Sequence, residues 1–225
     1  MIITVDGPAG TGKTTVAKRV AERLRFSYFD TGAMYRAVTW LILQKRIELS
    51  DEKNIKTLLE TLSFSIKEGE RERHYFIGEQ EITQEIRSQV INENVSAVSA
   101  LPVIREALWK IQKGFAKQGN AVFEGRDLGT VVFPEAELKV FLTARPEIRA
   151  KRRLDEILAK NSEQAKTLNQ EKILADLMRR DDLDSSRNLA PLKCPDDALV
   201  IDTSFLSIDE VVDQILKYKL TIQPI

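Results

Sequence analysis

The stretch Gly7–Thr14 constrains this chain more than any other part of it. Its sequence, GPAGTGKT, fits the pattern Gly-x-x-x-x-Gly-Lys-[Ser/Thr] at every fixed position. An apolar run at 1–5 precedes it, and apolar residues recur at helical spacing from Val16 to Leu24. This predicts a strand, a glycine-rich turn and a helix, the setting in which backbone N–H groups and a helix N-terminus surround phosphate oxygens. We call the stretch the phosphate loop, and it predicts a nucleoside triphosphate site.

Side chains of the phosphate loop have separate predicted tasks. The ammonium of Lys13 places a charge near the transferred phosphoryl group, and the Thr14 hydroxyl is a candidate ligand of Mg²⁺. The residues predicted to contact the triphosphate are Gly7, Pro8, Ala9, Gly10, Thr11, Gly12, Lys13, Thr14 and Thr15.

Composition excludes several classes of protein. The 225 residues carry a formal net charge of zero, so no general attraction to nucleic acid or to an anionic membrane is predicted. Cys194 is the only cysteine and His74 the only histidine, which predicts neither a disulfide nor a zinc site. We interpret Cys194 as a small loop residue rather than a nucleophile, and His74 as a surface strand residue rather than a catalyst. With no signal sequence and no apolar run of membrane-spanning length, we expect a cytoplasmic protein.

Strand and helix patterns alternate along most of the chain, which is typical of an α/β fold with a parallel sheet covered by helices. Beside the first strand, four further parallel-type strands are predicted at 26–29, 121–123, 138–142 and 199–202. After a predicted helix at 47–62, the period changes, and short alternating runs between 64 and 83 predict an antiparallel insertion. A helix at 92–117 is expected in two pieces because Pro102 interrupts it. Ser96 and Arg105 lie off its apolar stripe.

Arginines cluster where a phosphate site is expected. Arg36 and Arg126 each follow a predicted strand end, and Arg180 and Arg187 are seven residues apart, which predicts one helical face. A further group crowds one predicted helix start with few acidic partners: Arg145, Arg149, Arg152 and Arg153. Phosphoryl transfer needs such charges around its transition state. No covalent nucleophile or histidine base is evident, which favours a phosphate acceptor over an alcohol.

The chain resembles the bacterial cytidylate kinase family of P-loop nucleoside monophosphate kinases. The resemblance is carried by the phosphate loop, by 30–36 (DTGAMYR), by 124–130 (EGRDLGT), and by the segment from Arg180 to Arg187 followed by Ala190-Pro191-Leu192. It covers nearly the whole chain. It implies a P-loop NTPase-type five-stranded parallel sheet and transfer of the ATP γ-phosphoryl group to CMP or dCMP with Mg²⁺. It also implies one kinase domain, 1–225, with a core at about 1–62, 88–144 and 172–225, a monophosphate-binding insertion at about 63–87 and a helical lid at about 145–171.

The family resemblance also implies individual site residues. Catalytic roles fall to Lys13, Arg126, Arg149, Arg153 and Arg180. Contacts to CMP fall to Thr31, Arg36, Ser96, Arg105, Arg126, Asp127, Arg180, Asp184 and Arg187. Among these, Arg36, Arg126 and Arg187 hold the acceptor phosphate, Arg180 and Asp184 contact the sugar, and Ser96, Arg105 and Asp127 recognise cytosine. Arg149, Arg152 and Arg153 belong to the lid.

The cytosine assignment agrees with the chemistry of the base. A carboxylate such as Asp127 accepts from the amino group of cytosine, while a guanidinium donates to its ring N3 and O2. Uracil places a carbonyl opposite the carboxylate and is penalised. The chain departs from the family at Thr31, where serine is frequent, and at Thr14, where glycine is common and the hydroxyl residue follows. Whether Thr14 or Thr15 faces Mg²⁺ therefore stays open.

Other functions share part of this pattern. A P-loop kinase of UMP or of a small hydroxy acid would use the same phosphate loop and lid. A regulatory GTPase needs Asn-Lys-x-Asp and Asp-x-x-Gly motifs, and a transport ATPase needs a Leu-Ser-Gly-Gly-Gln-like signature, none of which occurs in the sequence. We therefore expect ATP and CMP or dCMP as partners, no nucleic acid, no membrane, and a monomer.

Overall fold

The computed structural model describes residues 1–69, 73–160 and 169–222. The chain divides into two compact units. The first comprises Met1–Phe29 with Ala116–Ile225, and the second comprises Asp30–Phe115. Within the described ranges, no helix combines the length and the apolar character that crossing a membrane requires.

Strands and helices are interspersed along the chain, with several pairs of consecutive helices and one run of three short strands. In chain order they are β1 (Ile2–Asp6), α1 (Lys13–Leu24), β2 (Ser27–Asp30), α2 (Thr31–Gln44), α3 (Glu52–Glu60), β3 (Phe64–Glu68), β4 (Arg73–Ile77), β5 (Gln80–Glu81), α4 (Gln89–Ser99), α5 (Pro102–Ala116), β6 (Ala121–Glu124), β7 (Leu138–Thr143), α6 (Pro146–Lys160), α7 (Gln170–Ser185), β8 (Leu199–Asp202) and α8 (Ile208–Ile222).

A five-stranded sheet with the order β2-β6-β1-β7-β8 forms the centre of the first unit. β1 lies between β6 and β7 and pairs in parallel with both, and β7 pairs in parallel with β8. The inner faces of β1 and β7 pack with the apolar faces of α1 and α8 in one buried cluster that includes Val5, Val16, Leu142 and Ile215. Because β1 and β6 run in parallel, the phosphate loop and the segment after Glu124 leave the sheet at the same edge.

The second unit combines helices with a small sheet. β3, β4 and β5 pair antiparallel in that order, which confirms the predicted insertion of short strands. Residues 70–72 of this predicted insertion lie outside the described residues. Helix 92–117 is indeed in two pieces, with α5 beginning at Pro102. The predicted helix 47–62 is shorter than expected, because Asp51 caps α3 by accepting from the backbone N–H of Asn54 at 3.1 Å.

Ser207 and Glu210 form a capping box at the start of α8, with backbone-to-side-chain distances of 2.8 and 3.2 Å. The prediction that Arg180 and Arg187 share a helical face is wrong, because α7 ends at Ser185 and Arg187 lies in the segment that follows. The arginines still approach a common partner, as described below.

Candidate active site

The phosphate loop depends on glycine at its first turn. Gly7 has φ +143°, and a Cβ atom there would lie 2.1 Å from the backbone oxygen of Leu142 on β7. Gly12, with φ +88°, stands at the N-cap of α1 and has no side chain to cap the helix. The donors at the start of α1 are thus left to bind an anion. This is the backbone that the motif predicts.

Lys13 is the first residue of α1 and is only 6% exposed. Its Nζ donates to the carbonyl oxygen of Pro8 at 2.6 Å and so crosses the loop. Burial, followed by the positive charge of Arg126, holds the pKa of Lys13 well below its ordinary value, although the charge of Glu124 acts in the opposite direction. A triphosphate would supply the negative charge that this buried cation lacks.

A line of hydrogen bonds leads from α1 to β6 and β2. The Thr14 hydroxyl donates to Oε2 of Glu124 at 3.0 Å. The Tyr28 hydroxyl donates to Oε1 of the same carboxylate. Glu124 is 4% exposed, and its bond with Tyr28 is buried whereas its bond with Thr14 is only partly buried. Thr14 itself is exposed, as is Thr15, and of the two it is the Thr14 hydroxyl that contacts this strand-end carboxylate.

Asp6, at the end of β1, organises the segment that follows β6. Its Oδ1 accepts from the backbone N–H of Leu128 at 3.1 Å, and its Oδ2 from that of Gly129 at 2.8 Å. Burial raises the pKa of Asp6 to about 7, and the charge of Asp127 adds to this, while the two N–H donors and Lys13 oppose it. The buried carboxyl thereby fixes the turn that carries Arg126 and Asp127.

Three arginines of the first unit act on one carboxylate, that of Asp184. The Nε of Arg126 donates to Oδ2 of Asp184 at 3.1 Å, and a guanidinium nitrogen of Arg187 lies 3.6 Å from Oδ1. Burial alone would raise the pKa of Asp184, but Arg126, Arg180 and Arg187 outweigh it and hold that pKa below its ordinary value. The cluster joins the end of β6 to α7 and concentrates positive charge at the edge of the sheet.

The arginines at the start of α6 have more partners than the sequence suggested. Arg149 donates to the carbonyl oxygen of Ala9 in the phosphate loop at 3.0 Å and to Oδ2 of Asp181 at 2.5 Å. Arg153 pairs with Glu156 at 3.0 Å. The expectation of few acidic partners is therefore wrong, since the carboxylates come from α7 and from the next turn of α6. Arg152 donates instead to the hydroxyl and the carbonyl of Thr203, after β8.

In the second unit, the side chain of Asp30 stabilises the start of α2. Its side chain caps the helix by accepting from the backbone N–H of Ala33 at 2.9 Å, and its other oxygen accepts from Arg36 at 2.8 Å. Thr31, the first residue of α2, is buried. The guanidinium of Arg36 is thus held over the first turn of the helix, where Gly32 leaves room for it. A Cβ atom at Gly32 would lie 3.0 Å from Nη1 of Arg36.

Arg105 is buried, at 1% exposure, although the helical pattern placed it off the apolar stripe. One guanidinium nitrogen donates to the carbonyl oxygen of Ser99 at 3.0 Å. The guanidinium carbon lies 5.3 Å from the ring centre of Tyr35 and 5.5 Å from that of Trp109. Aromatic faces and a carbonyl stabilise this cation where water does not reach it. Ser96, on α4, is half-buried.

Two residues of this site received no role from the sequence. Asp6 and Glu124 are the last residues of β1 and β6, and both are buried. The signal was present, because a carboxylate that ends a buried parallel strand lies at the ligand-binding edge of the sheet. Sequence reasoning could not tell which partners, more than 90 positions away, the oxygens of these carboxylates would meet.

The surroundings of Cys194 do not favour a reactive thiol. Burial raises the pKa of its thiol, and the charges of Asp196 and Asp6 raise it further. A thiol in such surroundings is a poor nucleophile, which agrees with its interpretation as a loop residue.

A phosphate loop between a parallel strand and a helix, with a buried lysine and an arginine cluster at the same sheet edge, defines a P-loop nucleotide-binding protein of the α/β class. The sequence pattern that defines the cytidylate kinase family matches residues 3–220. The chain therefore belongs to the cytidylate kinase family, which confirms the resemblance and the fold class that it implied.

Curated relatives agree over nearly the full length. A cytidylate kinase from Protochlamydia amoebophila is 51% identical over 223 residues, covering 99% of this chain and 98% of the relative. Another from Carboxydothermus hydrogenoformans is 46% identical and covers 96% of each chain. A third, from Listeria monocytogenes serotype 4b, is 50% identical and covers 95% of this chain and 93% of the relative.

Proposed function

We propose that the protein transfers the γ-phosphoryl group of ATP to CMP or dCMP, giving ADP and CDP or dCDP. The observation that carries the proposal, within the family, is the arginine cluster around Asp184 at the sheet edge that also holds the phosphate loop. The anion site that the phosphate loop forms suits ATP, the phosphoryl donor. A second concentration of guanidinium groups suits a negatively charged acceptor rather than a neutral alcohol.

ATP is assigned to the phosphate loop. The residues proposed to hold its phosphates are Gly7, Pro8, Ala9, Gly10, Thr11, Gly12, Lys13, Thr14 and Thr15. The positive-φ glycines and the uncapped start of α1 support the assignment, because they direct backbone donors at one anion. Lys13, which is buried, would bind the phosphoryl group more strongly than a solvated lysine would.

Mg²⁺ is assigned to the Thr14 hydroxyl, with the Glu124 carboxylate behind it. Both offer hard oxygen atoms, the ligands that this ion prefers, and few protein ligands suffice when substrate phosphates supply others. When bound, the ion neutralises charge that develops between the phosphates. The 3.0 Å contact to Glu124 favours Thr14 over Thr15 in this role.

The acceptor phosphate is assigned to Arg36, Arg126 and Arg187, and the sugar to Arg180 and Asp184. In the first unit, Asp184 pre-orients Arg126 and Arg187 by direct contact. Guanidinium groups that are already oriented lose little freedom on binding a phosphate, which helps to hold the acceptor in line for attack. Because the attacking oxygen belongs to a phosphate, no strong base is needed.

Cytosine is assigned to Ser96, Arg105 and Asp127. The anchoring of Arg105 by Ser99 and two aromatic rings supports a fixed donor rather than a mobile surface charge. Thr31 completes the proposed contacts to CMP. Arg149, Arg152 and Arg153 are assigned to a lid within about 145–171, of which 161–168 lies outside the described residues. The contact from Arg149 to Ala9 couples the start of that segment to the phosphate loop.

An ADP-release assay with Mg²⁺ and ATP tests the proposal, using CMP, dCMP, UMP, AMP and no acceptor in parallel. We expect strong turnover with CMP and dCMP and little with the others. Asp127→Ala should raise the KM for CMP by about tenfold or more while the KM for ATP changes little. Asp196→Asn, in an exposed loop, is the matched control. ADP release that is independent of every acceptor would overturn the proposed function, and turnover of UMP equal to that of CMP would overturn the base assignment alone.

A further inference from the structure

The ring of Tyr28 is packed in the hydrophobic core, and its hydroxyl donates a hydrogen bond to one particular carboxylate. The residue is 5% exposed, and its ring belongs to the same buried cluster as Ile3 and Val122. From there its hydroxyl donates to Oε1 of Glu124. Since the ring is packed on all sides, the position of the hydroxyl relative to β6 is set by the core rather than by the site.

Glu124 receives a hydrogen bond on each of its two oxygens. Tyr28 supplies one donor, and the Thr14 hydroxyl supplies the other at 3.0 Å. A glutamate side chain has three rotatable torsions, so one hydrogen bond leaves its carboxylate free to turn. Donors on both oxygens define the plane of the group and its direction.

The orientation of the Thr14 hydroxyl depends on the direction of the Glu124 carboxylate. Its hydroxyl has one proton, which it gives to Glu124, so its lone pairs point away from the carboxylate. Thr14 is exposed at the start of α1, where the triphosphate is proposed to bind, so those lone pairs are accessible to an ion that accompanies it. The orientation of the Thr14 oxygen is thus set by Glu124, and that of Glu124 by Tyr28.

We infer that Tyr28 is a positioning residue for the magnesium that accompanies ATP: its hydroxyl fixes Glu124, which in turn orients Thr14 toward the ion. The inference rests on the proposed function for the identity of the ion and its substrate. It assigns to a residue of the hydrophobic core an effect on metal binding, with no contact to substrate. Outer groups that orient metal ligands commonly change metal affinity about tenfold to a hundredfold when removed.

Tyr28→Phe removes only the hydroxyl and keeps the packed ring. We expect the Mg²⁺ concentration that gives half-maximal rate at saturating ATP to rise about tenfold, while the KM for CMP changes less than about twofold. Mn²⁺ binding, followed by electron paramagnetic resonance with a non-hydrolysable ATP analogue, should weaken by a similar factor. Tyr75→Phe is the matched control, because Tyr75 is equally buried and lies in the small antiparallel sheet.

A double-mutant cycle shows whether Tyr28 acts through Glu124. Tyr28→Phe should have little further effect in a Glu124→Gln background if the path is correct. Equal loss in both backgrounds, or unchanged Mg²⁺ and Mn²⁺ dependence in Tyr28→Phe, would overturn the inference. Tyr28→Met, which also lacks the donor, replaces Tyr28→Phe if the latter does not fold.

The two proposals fail in different ways. If the unmodified protein does not phosphorylate CMP, the proposed acceptor is wrong, but the Mn²⁺ titration still reports on Tyr28. If CMP is phosphorylated and both titrations are unaffected by the substitution, only the role of Tyr28 is lost.

Discussion

Asp6 makes the stability of this protein depend on pH in a direction opposite to that of most carboxylates. Its pKa is raised from 3.8 to about 7, chiefly by burial. The unfolded chain therefore ionises at lower pH than the folded protein does. Between these two values the folded state holds a proton that the unfolded state has released, so the contribution of Asp6 to the free energy of unfolding falls as pH rises.

The size of the effect follows from the two pKa values. From pH 5 to pH 8, the ionisation of Asp6 should cost the folded protein about 3 kcal/mol relative to the unfolded chain. Asp6→Asn removes the titration and keeps the shape of the side chain. At pH 5 the variant resembles the protonated carboxyl and should differ from the unmodified protein by about 1 kcal/mol. At pH 8 it avoids a buried charge but offers one acceptor where Leu128 and Gly129 present two donors.

Urea denaturation at pH 5, 6, 7 and 8 measures this difference. The free energy of unfolding of Asp6→Asn, relative to the unmodified protein, should increase by about 3 kcal/mol across the series. Asp196→Asn, on an exposed loop, should show no such trend. Parallel stability curves for Asp6→Asn and the unmodified protein would refute the reasoning, because they would mean that Asp6 titrates alike in the folded and unfolded states.

Three further substitutions test other parts of the site. Lys13→Ala should lower kcat at least about a hundredfold with little change in the melting temperature, whereas Lys18→Ala on the exposed face of α1 should leave kcat unchanged. Gly7→Ala forces a Cβ to within 2.1 Å of a backbone oxygen and should lose at least about 2 kcal/mol of stability by urea denaturation. Gly78→Ala, with φ +58° and open space around it, should lose only about 1 kcal/mol. Asp184→Asn should destabilise by about 2–4 kcal/mol at pH 7, with the loss shrinking as pH falls below 3.8, because the arginine cluster holds the folded pKa of Asp184 below that value.

Short stretches of the sequence were enough to predict the local chemistry of this protein. The phosphate loop could be recognised because glycine torsions, the following lysine and the flanking apolar periods are all encoded within some 24 residues. The alternation of strands and helices and the antiparallel run after α3 follow from the same short-range periods. The family resemblance added predicted roles for residues that no local pattern could distinguish, such as Ser96.

Tertiary structure decided which side chains meet. The residues that join Glu124 lie 110 and 96 positions away in the sequence, and no period links them. The burial of Arg105 likewise depends on the rings of Tyr35 and Trp109 and on the carbonyl of Ser99. A helical period assigns a charged residue to solvent, and only the packed neighbours show that this cation is compensated inside. The reason is physical: backbone preference and hydrophobic period are local, whereas the partners of a buried polar group are brought together by the fold.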